Sequence, residues 1–81
     1  MSRTLGSARH KALVAYIIAQ RDAADLTQVQ VAKKLKRYQS YITNIETGQR
    51  RIDVVEFMAL ADAIGFDAAD AIRQLYRIPK K

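Results

Sequence analysis

The sequence lacks cysteine and tryptophan, and it has a single histidine, His10, among 81 residues. The absence of cysteine excludes disulfides, thiol catalysis and zinc fingers, and one histidine does not supply a histidine-based metal site. We therefore expect neither a metal nor a cofactor. Because no nucleophile has a base placed to activate it and no acidic pair lies in an evident pocket, the sequence does not predict an enzyme.

Long hydrophobic runs are absent as well. The longest, residues 12–19, has eight residues, far fewer than the roughly 20 that cross a bilayer. Arg21 and Asp22 follow it closely, without the small-residue cleavage site of a signal peptide. We therefore expect a cytoplasmic protein, associated with the nucleoid if it binds DNA.

Proline and glycine, the residues that oppose helices, are few: one proline, Pro79, and three glycines. No segment alternates with the period of two that marks a strand. Apolar residues recur at helical spacing instead, which predicts a compact all-α domain over residues 8–78 between a flexible segment, 1–7, and a basic tail, 79–81. The five expected helices cover about residues 8–24, 28–35, 39–47, 54–64 and 68–77.

Capping residues mark several helix ends. Thr27 with Gln30, and Asp53 with Glu56, have the spacing of capping boxes at the starts of the second and fourth helices. Gly48 is placed to end the third helix in the left-handed conformation.

Acidic residues are scarce in one part of the chain. Between Lys33 and Arg51, six basic residues accompany a single acid, Glu46, so this stretch holds +5 of the net charge of +6. The remaining residues are nearly neutral. A basic cluster of this kind indicates a polyanionic partner.

The third predicted helix lies inside this basic stretch and has two unlike faces. At about 100° per residue, Tyr41, Ile42 and Ile45 fall on one side. Amides and hydroxyls fall on the other, and such groups can hydrogen-bond to base edges in a DNA major groove; a solvated face without function is the alternative. This polar face consists of Gln39, Ser40, Thr43, Asn44 and Thr47.

Two charged or titratable residues of the first helix lead to expectations about burial. Arg21 shares the apolar stripe of Leu13 and Ile17, where burying an unpaired cation would be costly. It must therefore either extend to solvent or pair with an acid inside. His10, in the opening turn, is expected to face solvent.

Two short helices joined by a three-residue turn, the second polar and flanked by cations, have the arrangement of a helix-turn-helix. The sequence resembles the lambda/434 repressor and Cro type, the XRE-like DNA-binding family of bacteria and phages, over about residues 10–66. The resemblance is carried by Leu26-Thr27-Gln28, Val31-Ala32, Leu35, Gln39-Ser40-Tyr41-Ile42, Ile45-Glu46, Gly48, Arg50-Arg51, Leu60-Ala61 and Ala63-Ile64-Gly65.

The resemblance implies a lambda-repressor-like fold and a role for each matching residue. Arg21 and Glu46 match a largely buried salt bridge between the first helix and the end of the recognition helix, and Gln28 matches a glutamine that braces Gln39. Gln39, Ser40 and Asn44 match base-reading positions of the family, and Thr43 beside them is a further base-reading candidate. Thr47 matches a phosphate-contacting position of the family. The other expected phosphate contacts are Gln28, at a helix N-terminus, and the basic residues Arg37, Arg50 and Arg51.

The sequence departs from the family pattern in the turn before the recognition helix. Lys36 stands where glycine is frequent, at a cost of about 1 kcal/mol if the residue is left-handed. Tyr38 replaces a capping serine or threonine, and we expect its ring to pack on the core. For Arg51, pairing with Asp53 or Glu56 is the alternative to a phosphate contact.

Taken together, these features predict a sequence-specific regulator of transcription that binds double-stranded DNA. A homodimer on an inverted repeat, repressing by occlusion, is the simplest mechanism, and its expected contact residues are Ile72, Leu75 and Tyr76. The alternative is an antitoxin or protein-binding adaptor that contacts a small protein toxin through the fifth helix and the C-terminal tail.

Overall fold

Five helices make up residues 6–79, the part of the chain that the computed structural model describes. This confirms the predicted all-α, five-helix class. Within that range no helix is long and apolar enough to cross a membrane. The expected N-terminal segment and basic tail fall largely on residues 1–5 and 80–81, outside the described residues. The helices are α1 (Ala8–Ala23), α2 (Gln28–Lys34), α3 (Gln39–Glu46), α4 (Val54–Ile64) and α5 (Ala68–Tyr76).

All five helices contribute to one hydrophobic core. The apolar side of α3 supplies Tyr41, Ile42 and Ile45, all buried, and α2 packs beside it through Val31 and Ala32. Because these residues bury one side of α3 in the core, the opposite side of the helix lies on the surface. The buried cluster comprises Ile17, Val31, Ala32, Tyr41, Ile42, Ile45, Phe57, Leu60, Ile64 and Ala71.

The capping residues fix where α2 and α4 begin. The Thr27 hydroxyl accepts from the Gln30 N–H, and the Gln30 side chain accepts from the Thr27 N–H, at 3.1 and 2.8 Å. Asp53 and Glu56 form the same reciprocal pair at the start of α4, at 2.7 and 3.0 Å. Gly48, with φ of 79°, follows α3 in the left-handed conformation.

The turn from α2 to α3 keeps a left-handed residue although it contains no glycine. Lys36 has φ of 56°, and the Arg37 N–H donates to the Ala32 carbonyl at 2.9 Å. A side chain in this conformation costs about 1 kcal/mol because its Cβ crowds the following carbonyl. The lysine therefore strains the backbone of the turn locally.

Replacing Lys36 by glycine is expected to raise the free energy of unfolding by about 0.5 kcal/mol, since relief of strain outweighs the added freedom of the unfolded chain. Lys33→Gly, the same change at a helical residue of α2, is the matched control and is expected to lower stability by about 1 kcal/mol. Urea denaturation measures both. Equal effects of the two changes would contradict a strained turn.

Two expectations about exposure were wrong. His10 is buried, with 5% of its surface exposed, because the side of α1 that carries it faces α4 and α5. Tyr38 is 87% exposed and does not pack on the core. It is the N-cap residue of α3, in an extended conformation, which directs its side chain away from the helix that follows.

Candidate nucleic-acid interface

The polar face of α3 lies on the surface. Gln39, Ser40, Asn44 and Thr47 are exposed, and Thr43 between them is half-buried. Thr47 follows the last residue of the helix, and its hydroxyl donates to the Asn44 carbonyl at 3.3 Å. The structure thus brings all five predicted polar-face residues to one accessible side of the protein.

Gln28, the first residue of α2, connects with both ends of α3. Its Nε2 donates to Glu46 Oε1 at 2.9 Å, and its Oε1 accepts from the Thr43 hydroxyl at 2.8 Å. Gln39 Nε2 lies 3.5 Å from the same oxygen, at the outer limit of a hydrogen bond. These contacts fix how α3 is oriented relative to α2.

A largely buried ion pair anchors this network to α1. Arg21 Nε donates to Glu46 Oε2 at 2.6 Å and Nη2 donates to Glu46 Oε1 at 2.9 Å, with the two side chains 14% and 6% exposed. Arg21 Nη1 also donates to the Leu26 carbonyl at 2.8 Å. The hydrogen bond to Glu46 raises the pKa of the Arg21 guanidinium, so the cation on the apolar stripe of α1 is paired inside.

A second cluster, of charged residues around the Tyr41 ring, contacts α3. The guanidinium carbons of Arg37 and Arg50 lie 3.8 and 4.8 Å from the centroid of the Tyr41 ring, distances at which a cation is attracted to the π face. Arg50 Nη2 also donates to Glu56 Oε2 at 2.6 Å. Burial, and then the charge of Glu56, raises the pKa of the Tyr41 hydroxyl. Arg50 therefore links α3 with α4.

Comparisons with known proteins place this geometry in a family. A family model described as a helix-turn-helix domain matches residues 3–74. A solved structure of an XRE-family like protein from Pseudomonas syringae pv. tomato str. DC3000 is 38% identical, covering 85% of this chain and 84% of that chain with a TM-score of 0.82. The chain belongs to the XRE-like helix-turn-helix family. This confirms the relationship that the sequence indicated.

A more distant structure has the same XRE-like fold. The clp gene regulator ClgR from C. glutamicum is 19% identical, with a TM-score of 0.75 and coverage of 84% of this chain and 88% of that chain. No curated protein matches the chain.

The three arginines expected to contact phosphate in this XRE-like domain lie near the ends of α3. Arg37 and Arg51 are exposed, Arg37 stacks on the Tyr41 ring, and Arg50 forms a salt bridge with Glu56. Glu56, one of the two acids expected as alternatives for Arg51, forms a salt bridge with Arg50. The phosphate roles of these residues stay predictions.

Tyr38 is an exposed residue beside the polar face of α3, where the sequence pattern did not place it. Its exposed ring lies at the N-cap of α3, directly before Gln39. A tyrosine hydroxyl at that position can donate to a phosphate oxygen. The sequence feature that could have indicated its exposure was its position directly before the polar helix. No group of histidine, aspartate and glutamate among residues 6–79 is arranged to hold a metal ion.

Replacing Glu56 by glutamine is expected to flatten the loss of stability on acidification. The Asp53 backbone N–H, and then the Arg50 guanidinium, lower the pKa of the Glu56 carboxyl below its ordinary 4.5. A carboxyl whose pKa is lower in the folded chain contributes stability above its unfolded value, and this contribution is lost as pH falls through the folded value. Urea denaturation at about pH 6 and about pH 3 measures the loss.

The control for net charge is Asp62→Asn, which removes an exposed carboxyl from the same helix. The wild type is expected to lose more stability than Glu56→Gln between the two pH values. Parallel losses in these two proteins would contradict a Glu56 pKa that is lower in the folded chain than in the unfolded one.

Proposed function

We propose that this chain is a sequence-specific regulator of transcription that reads double-stranded DNA with α3. The observation that carries this proposal is the exposed, uncharged, hydrogen-bonding face of α3 within a stretch of net charge +5. Surface helices ordinarily expose charged residues, whereas amide and hydroxyl side chains suit base edges in the major groove. The proposed base contacts are Gln39, Ser40, Thr43 and Asn44.

Phosphates are proposed to contact the basic residues on both sides of α3. The exposed basic residues before α3 are Lys33 and Lys34 at the end of α2, and Lys36 and Arg37 in the turn. Arg51 is exposed after α3. Cations in these places neutralise phosphates and orient the protein without reading sequence. The remaining proposed phosphate contacts are Gln28, Thr47 and Arg50. Arg50 would contact a DNA phosphate while it stays paired with Glu56.

Selection from a random duplex library tests this function. The purified protein is expected to enrich one short half-site, repeated in inverted orientation with centres about 34–36 Å apart, one helical turn of DNA. A control selection with Gln39→Ala and Asn44→Ala combined is expected to lose that half-site. A library that stays random with the wild-type protein would contradict sequence-specific binding.

A homodimer is proposed because one chain offers a single recognition helix. Ile72 and Tyr76 of α5 are exposed, and Leu75 lines an apolar groove of about 580 Å³ between α1, α4 and α5. Pairing two copies through this surface would cover apolar area and place two α3 helices on one duplex. Occlusion of the polymerase by the bound dimer is the simplest route to repression.

Sedimentation equilibrium tests the dimer surface. Ile72→Glu is expected to weaken self-association at least tenfold, because it places a charge in an apolar contact. Gln74→Glu adds the same single negative charge at a nearby exposed residue of α5 outside the groove and is the matched control. A wild-type protein that remains monomeric, alone and on its selected duplex, would contradict the dimer.

The same groove supports a second candidate function, that of an adaptor for a small protein toxin. Its lining is mainly apolar, including Leu13, Phe57, Met58 and Ile72, and such surfaces mark protein contacts. A small toxin that co-purifies in equal amounts and is released by Ile72→Glu would favour this function. DNA binding by α3 is compatible with it.

A further inference from the structure

The hydrogen bonds that link Arg21, Glu46, Gln28 and Thr43 have their directions fixed by the charged groups at one end. Arg21 has only donors, so both Glu46 oxygens accept from it. The Gln28 group that faces Glu46 must therefore be its NH₂, as the 2.9 Å contact from Nε2 has it. The Gln28 carbonyl oxygen is then directed to α3.

Because that oxygen can only accept, the Thr43 hydroxyl must be the donor. It has one O–H group, which donates a hydrogen bond to Gln28 Oε1 at 2.8 Å. The lone pairs that remain on the hydroxyl can only accept a further hydrogen bond. By contrast, Ser40 is exposed, and no contact among residues 6–79 fixes its proton, so its hydroxyl can either donate or accept.

Thr43 lies on the polar face between Gln39 and Asn44 and is partly exposed. In the major groove, adenine N6 and cytosine N4 carry donors, whereas guanine and thymine present acceptor oxygens. An acceptor-only hydroxyl therefore pairs with the amino bases and meets the keto bases with two acceptors facing each other. Discrimination at this position follows because the Thr43 hydroxyl already donates its one hydrogen bond to Gln28.

We infer that the Arg21–Glu46 ion pair sets, through Gln28, the hydrogen-bond polarity of Thr43, which thereby selects a base with an exocyclic amino group. This inference rests on the proposed function, since it names the chemistry that one residue of the same face recognises. Thr43 is the contacting residue. Glu46 and Gln28 are positioning residues that act on the base through Thr43.

Deleting single amino groups from the selected duplex tests this polarity. Each adenine of the half-site is replaced in turn by purine, and each cytosine by 2-pyrimidinone, which removes only the exocyclic amino group. At one position the wild-type protein is expected to bind about fivefold more weakly, the effect of one neutral hydrogen bond. Thr43→Val is expected to show no such penalty there, whereas Thr43→Ser, which keeps the hydroxyl, retains it.

The base preference of a Gln28→Met variant tests whether Gln28 sets the direction of the Thr43 hydrogen bond. Without the amide, the Thr43 hydroxyl is released to donate, so the variant is expected to accept guanine or thymine at that position as readily as adenine or cytosine. A merely structural role for Gln28 would lower affinity for all duplexes and leave this preference unchanged. Thermal melts confirm that each variant is folded at the temperature of binding.

The outcomes separate failure of the inference from failure of the proposed function. A specific half-site in which no amino-group penalty depends on Thr43, or in which Thr43 favours guanine or thymine, would overturn the inference and leave the regulator intact. A protein that prefers no duplex would overturn both.

Discussion

Replacing Arg21 by alanine is expected to lower the free energy of unfolding by about 3–5 kcal/mol, the usual effect of removing one member of a buried ion pair. Glu46 would keep only the hydrogen bond from Gln28, with its side chain 6% exposed. Small domains unfold with about 5–15 kcal/mol, so the variant would lose a large part of its stability. Urea denaturation followed by circular dichroism measures the change.

Two further variants distinguish the cost of an unpaired charge from the loss of side-chain packing. Arg73→Ala removes an exposed partner of Asp70, at 3.7 Å, and is expected to cost less than about 0.5 kcal/mol. Arg21→Met combined with Glu46→Leu is expected to recover most of the stability, because no buried charge remains. If Arg21→Ala cost no more than Arg73→Ala, Glu46 would not depend on its partner.

Replacing Asn44 by alanine is expected to change which base is preferred at one position of the half-site. A bidentate amide–base contact is worth about 1–3 kcal/mol of discrimination, so the preference at that position would fall by about five- to 150-fold. Asn44 is exposed in the middle of the polar face, so truncation should leave the fold intact. Titration of the selected duplex and its single-base variants measures the effect.

Arg51→Ala is the matched contrast, since it removes an exposed cation proposed to contact phosphate. It is expected to weaken binding to every duplex alike and to reduce the slope of log K against log salt by about 0.9. Similar effects of Asn44→Ala and Arg51→Ala on all sequences would contradict the division into base and phosphate contacts.

The features that the sequence predicted well depend on local pattern. Five helices follow from apolar spacing and few breaking residues, and the capping boxes at Thr27 and Asp53 are formed. The two faces of α3 follow from the same periodicity, because Ile42 and Ile45 can only be buried if Asn44 is exposed.

The features that the sequence did not predict depend on packing between elements. His10 is buried because its stripe of α1 lines the groove beside α4 and α5, which periodicity alone does not reveal. The pairing of Arg50 with Glu56 depends on how the loop from Gly48 to Asp53 carries Arg50 over the Tyr41 ring. The several partners of Gln28 arise only when α1, α2 and α3 meet.

An NMR titration with the selected duplex tests most directly whether α3 reads DNA. Side-chain and backbone amides of residues 39–47 are expected to shift most, together with those of the turn at residues 36–38. Residues of the groove between α1, α4 and α5 are expected to change only through dimer formation, as they would on raising protein concentration without DNA. Large shifts in the groove with an unperturbed polar face on α3 would contradict the account.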